Sequence, residues 1–161
     1  MLCQNGIAGN RIIAQECPNL ANQISNDPEG SRVEKHIRFW VQKALQQLPE
    51  NIKSPLTAFL GCTHYGYREN LFHKAFNEEG YRNVTLLNPN YVAAEKLSKI
   101  VFKKNGKSNP TKVNGVSIDF VTPYAIPKQE IITLTQLLSP ISPVTAEALQ
   151  NATICPELLN P

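Results

Sequence analysis

The chain of 161 residues has no run of about 18 apolar residues, so no helix is expected to cross a membrane. It has no strong charge either. Sixteen Lys and Arg against thirteen Asp and Glu leave a formal net charge of +3, with no basic cluster. Neither nucleic acid nor a membrane surface is therefore an expected partner. There is no C-x-x-C pair. The four cysteines, Cys3, Cys17, Cys62 and Cys155, are far apart, and only three histidines, His36, His64 and His73, accompany them. A metal site wants paired ligands at short spacing, so no metal is expected. Residues 1–9 lack the basic and apolar stretches of a secretory leader. Reduced thiols in a cytoplasm are the corresponding expectation. There is no internal repeat and no low-complexity segment. At 42% hydrophobic and 18% charged, the composition excludes a disordered tail.

What is present is an alternation of strand and helix. Arg11 to Gln15 reads as a strand entering a turn at Cys17-Pro18. Asn19 to Ser25 reads as a short helix. Ser31 and Glu34 have the spacing of a capping box. Behind them Val33, Ile37, Val41, Ala44 and Leu48 recur at helical period, with Trp40 and Leu45 widening the stripe. That helix is expected to stop at Pro49. Leu56 to Gly61 is short and apolar, as a buried parallel strand would be. A helix is expected over 67–79 with Leu71, Ala75 and Phe76 inward, ended by Gly80. Asn83 to Leu87 reads as a strand, Asn88-Pro89-Asn90 as a turn and Tyr91 to Phe102 as a helix.

The stretch 10–104 therefore predicts an α/β fold with a parallel sheet flanked by helices. Beyond it the texture changes, for seven of the twelve prolines follow residue 105. Residues 105–161 are expected to open with a polar linker, Asn105 to Lys112. A strand at Val116 to Val121 and a helix at Pro127 to Leu138 follow. A last helix is capped by Ser142-Pro143.

Ligands of open α/β sheets sit beyond the carboxyl ends of the strands. At one such end stands Gly61-Cys62-Thr63-His64-Tyr65. A helix N-terminus there would favour negative charge and could bind a carboxylate. Cys62 supplies a thiol, Thr63 a hydroxyl and an N–H, and His64 a group that exchanges protons near neutrality. At the other strand end Cys17 reads as a small residue packing a tight turn. His36 and His73 read as ordinary helix residues. Cys155 has no expected role, and Cys3 lies in a terminal segment.

The run Leu60-Gly61-Cys62-Thr63-His64-Tyr65 resembles the second-cysteine motif of the aspartate/glutamate racemase family. Flanking segments resemble the family as well: Ile13 to Pro18, the helix from Ser31 to Leu48, and Thr85 to Pro89 with its following helix. The similarity covers roughly 10–104 and the C-terminal half of a racemase. It implies one lobe, plus part of a second, of a two-lobed racemase-like fold. The implied activity is cofactor-independent racemisation of an acidic amino acid, in which one thiolate removes the Cα proton and a second thiol reprotonates the opposite face. On this resemblance Cys62 is one proton-transferring thiol, His64 its proton partner, and Thr63 a substrate-binding residue.

The sequence also departs from the family pattern. No Asn-Thr motif surrounds an upstream cysteine, since Cys3 is followed by Gln4-Asn5-Gly6. The early Asp-Ser segment is missing, Ser25 replaces an acidic residue, and Gly66 replaces a proline. A truncated or diverged copy without the first catalytic cysteine, weak or inactive alone, is the resulting expectation. Apolar surface left by a missing half would invite homo-oligomerisation. Two other readings stay open: a non-catalytic module binding an amino acid or carboxylate, and an acyl-transfer enzyme using Cys62 and His64. The last ranks lowest, because side chains two residues apart on a loop seldom form a productive pair.

Overall fold

A computed structural model describes residues 6–49, 55–104 and 117–159. It is a mixed α/β structure in which helices dominate and two small parallel sheets occur. The chain divides into two compact units. One comprises Met1–Ile24 and Pro28–Val92, the other Ser25–Asp27 and Ala93–Pro161. Among the described residues no helix is long and apolar enough to cross a membrane.

The first unit is built on helices α1 (Leu20–Asn26), α2 (Ser31–Leu45) and α3 (Glu69–Glu78), with strands β1 (Thr57–Phe59) and β2 (Thr85–Leu87). Val33, Ile37 and Val41 form the buried face of α2, as the period predicts. Facing them are Phe72, Ala75 and Phe76 of α3, while Leu20 and Ile24 of α1 and Leu60 complete the core. Leu71 packs against this core only partly buried, and so do Trp40 and Leu45. Strands β1 and β2 pair in parallel, with Thr57 opposite Thr85, Ala58 opposite Leu86 and Phe59 opposite Leu87. Helix α3 lies between them in the chain, which supplies the crossover that a parallel pair requires.

Four expectations need correction here. Arg11–Gln15 is not a strand. Arg11 closes a 3-10 turn (Gly9–Arg11), and the chain is extended at Ile12 but joins neither sheet. An extended segment becomes a strand only when a partner takes up its backbone groups. Here the Gln15 side chain bonds instead to Gln47 of the segment after α2. The capping box is also absent. Gly30, in extended conformation, is the N-cap, and no side chain caps the helix. Ser31 is already helical, and the Glu34 carboxylate reaches Lys74 of α3 at 2.6 Å. Third, β1 is covered on one face only. Ala58 and Leu86 turn toward the core, whereas Phe59 is 64% exposed and Leu87 47%. Finally, α2 ends at Leu45, and Gln47 N–H and Leu48 N–H bond to the carbonyls of Ala44 and Leu45 in a tightened last turn before Pro49.

Gly80 ends α3 as expected. Its φ of +86° is accessible to glycine, its N–H bonds to Asn77 O, and Tyr81 N–H reaches back to Phe76 O. Helix α4 (Pro89–Lys104) begins earlier than the turn Asn88-Pro89-Asn90 predicted, with Pro89 as its first residue. Its Val92, Leu97 and Ile100 are exposed.

In the second unit α5 (Lys128–Leu138) packs on α6 (Pro143–Gln150), and β3 (Val121–Thr122) pairs in parallel with β4 (Thr153–Ile154). Ser142 caps α6 as the sequence predicts, its hydroxyl accepting from Thr145 N–H. The strand expected at Val116–Val121 overlaps β3 at Val121, while β4 was not anticipated. The linker 105–112 and Cys3 lie outside the described residues.

The face assignment of α2 is measurable. Ile37→Ala removes a side chain with no exposure and should lower the unfolding free energy by about 3 kcal/mol. Phe39→Ala, on the exposed side of the same helix, should cost less than about 1 kcal/mol. Equal losses in urea titrations of the two variants would contradict the packing of α2.

Candidate thiol site at the carboxyl end of the sheet

The β1–β2 ladder continues one residue past β1, through Leu60 N–H to Leu87 O at 3.0 Å. Gly61 then leads to Cys62, which is extended at φ −132° and ψ 137°. Immediately afterwards the chain tightens into a 3-10 turn over Thr63–Arg68. The α-helix expected close behind Cys62 starts only at Glu69. A helix dipole fades within its first turn, so that of α3 acts on Glu69 rather than on the thiol.

Within this loop Cys62 Sγ lies 3.5 Å from His64 Nδ1, hydrogen-bonding distance for sulfur. The thiol donates when Nδ1 carries no proton, and the ring donates to a thiolate when it does. Residues two apart on this loop thus come within hydrogen-bonding distance. Cys62 is extended, and the 3-10 turn that opens at Thr63 brings the chain back beside its thiol. The edge of the His64 and Tyr67 rings meet at 6.1 Å between centroids. Cys62 and His64 are both half-buried, and Thr63 is exposed.

Thr63 is held by its carbonyl. The side-chain amide of Asn90 donates to it at 2.9 Å. Asn90 belongs to the first turn of α4, just beyond the carboxyl end of β2. Its N–H donates to Asn88 Oδ1 at 3.1 Å, so Asn88 acts as the side-chain cap of α4. Asn88 is buried, and its own amide donates to Glu69 Oε2 at 2.9 Å. Gly66 fits against this pair. A Cβ there would stand 2.6 Å from Asn90 Nδ2 and 2.8 Å from Asn88 Nδ2. The departure at Gly66 noted in the sequence thus coincides with a close approach that a Cβ could enter only by displacing these asparagine side chains. At the far end of the turn Arg68 is nearly buried and pairs with Glu29.

Cys17 also approaches this loop. Its thiol is half-buried, 3.7 Å from Gln15 O, and packs against the core, as a small turn residue would. The Tyr65 hydroxyl donates to Cys17 O at 3.5 Å. Burial pushes the Cys17 thiol up, and its hydrogen bonding with Tyr65 only partly offsets this. Burial likewise pushes the Tyr65 hydroxyl up to about 12. Negative charge on Cys17 and Cys62 works in the same direction. Tyr65 therefore senses both cysteines.

Of the remaining residues singled out in the sequence, His36 and Cys155 have their partners elsewhere, and His73 reaches this cluster at Glu69. His36 bonds to Gln23, His73 is 3.9 Å from Glu69, and Cys155 contacts Glu157. Among the described residues no three His, Cys, Asp or Glu side chains come together as a metal centre. Two clefts flank α2, and neither is lined by Cys62 or His64. Tyr65, Asn88 and Asn90 had no assigned part in the sequence reading. The strand-end rule applied to β2, together with an Asn-Pro cap, would have pointed to the two asparagines.

No family model matches the chain, and comparison with curated proteins and with solved structures likewise finds no match.

The raised Tyr65 value sets a pH dependence. The group's neutral form is favoured in the folded state, so its contribution is complete below the ordinary value of 10. It is lost as pH rises from 10 through about 12, because the unfolded chain ionises first. Stability measured by urea titration should fall across that window. Tyr65→Phe should flatten the fall, and an unchanged slope in this variant would contradict the placement of the hydroxyl.

Proposed function

We propose that the chain is an amino-acid racemase-type protein that exchanges the Cα proton of an acidic amino acid through Cys62, without a cofactor. The reading is supported by the resemblance around Cys62. The observation that carries it is the 3.5 Å contact of Cys62 Sγ with His64 Nδ1 at the carboxyl end of a parallel strand. Cys62 as thiolate takes the Cα proton. The S–H bond forms as the C–H bond breaks, and the electron pair moves into the substrate carboxylate. Thr63 meets that carboxylate with its hydroxyl and backbone N–H. His64 passes the thiol proton to and from water.

A proton returned by the same thiol restores the original configuration with a solvent hydrogen at Cα. Inversion requires a second acid on the opposite face. Hydrogen exchange is therefore the primary readout, and accumulation of the other enantiomer a separate one.

Incubated with L-glutamate or L-aspartate in D₂O, the protein should replace Cα–H by deuterium, followed by proton NMR. Cys62→Ser should slow this by at least about 100-fold, the usual worth of a proton-transferring group. Saturable binding of the acid without exchange, unaltered in Cys62→Ser, would replace this reading by a binding module for amino acids or carboxylates. Absence of both exchange and binding would remove the acidic amino acid as substrate.

A further inference from the structure

We infer that Asn90 is a positioning residue for the Cys62–His64 pair: its amide grips the Thr63 carbonyl and so sets the peptide that carries His64 to the thiol. This rests on the proton-transfer reading above and adds to it a residue from the second strand end.

The Thr63 carbonyl belongs to the peptide that joins Thr63 to His64. Fixing that oxygen fixes the rotation at ψ of Thr63 and φ of His64, and with them the path of the imidazole. On that path the Cys62 and His64 side chains stand 3.5 Å apart. Asn90 provides the hold at 2.9 Å and is itself constrained on three sides. Its backbone sits in the first turn of α4, its N–H is taken by Asn88 Oδ1, and its amide lies over Gly66. Asn88 is in turn anchored to Glu69, the first residue of α3. The clamp therefore runs from α3 through the turn after β2 to the loop after β1. Every link is a hydrogen bond between partners set by backbone elements. A group built on such elements keeps its geometry better than one held by loop conformation alone.

The test follows Cys62 alkylation by iodoacetamide between about pH 6 and 9, the range that brackets free imidazole and thiol titration. Mass spectrometry of the Cys62 peptide separates it from the other cysteines. Four proteins are compared: wild type, His64→Gln, Asn90→Ala and Asn90→Asp. Aspartate at this position suits the first turn of a helix, yet its carboxylate cannot donate to a carbonyl. It therefore removes the grip without weakening α4. Both Asn90 variants should shift the alkylation profile toward that of His64→Gln. The change in rate near neutrality should be about threefold, as expected for one hydrogen bond of ordinary net strength. Cys155 alkylation and the circular dichroism should stay as in wild type.

A wild-type profile in Asn90→Asp, with His64→Gln clearly different, overturns the positioning role and leaves the thiol pair standing. Identical profiles for wild type and His64→Gln overturn the pair itself, and the role of Asn90 with it.

Discussion

The parallel pairing of β1 with β2 is the constraint on which the site depends. Antiparallel neighbours would send their carboxyl ends to opposite edges. The register from Thr57 and Thr85 to Phe59 and Leu87 brings both ends to the same edge, so that Cys62 and Asn90 emerge side by side. Parallel pairing also demands a crossover, and α3 provides it. The same α3 begins with Glu69, which ties Asn88, and carries Phe72, Ala75 and Phe76 into the core. One topological choice thus determines where the thiol sits, what holds its loop and what buries the scaffold beneath it.

The distribution of stability follows from that choice. Apolar burial is concentrated among α1, α2 and α3, where Ile37, Val33, Leu20 and Ile24 are almost wholly removed from water. The sheet contributes less, with three residues per strand and only Ala58 and Leu86 turned inward. The strand ends are then stiffened by polar links in place of a deep sheet. Asn88, Asn90, Thr63 and Glu69 form one chain of hydrogen bonds, and Arg68 with Glu29 fastens the loop at its other end. Such contacts add modestly to global stability but strongly to local geometry. The proposed proton transfer would need the second more than the first.

Much of this was legible in the sequence wherever a local rule had no competitor. The 3.6 period of Val33, Ile37 and Val41 appears as the buried face of α2, Gly80 as its neighbour helix's stop, and Ser142-Pro143 as the start of α6. Local rules failed where a tertiary partner intervened. Glu34 left its capping role for Lys74, and Ile12 to Gln15 found no ladder. At the site, Cys62, Thr63 and His64 could be singled out because they are contiguous. Asn90 could not, for its link to Thr63 spans 27 residues and exists only once β1 and β2 pair. The 3-10 turn over Thr63–Arg68 was not anticipated, and the helix expected from Tyr67 starts only at Glu69.

Gly66 shows how tightly these levels are joined. A residue with a Cβ at this place would stiffen the 3-10 turn on its own terms, since glycine carries the largest conformational entropy to be lost on ordering. That gain would come at the cost of the asparagine amide 2.6 Å away. Displacing the amide frees the Thr63 carbonyl, and with it the peptide that orients His64. Glycine here therefore exchanges intrinsic stiffness for stiffness borrowed from α4. Borrowed stiffness couples the thiol loop to the other strand end, so a perturbation at the start of α4 reaches Cys62 through two hydrogen-bonded residues. A loop rigid by its own composition would be deaf to that change.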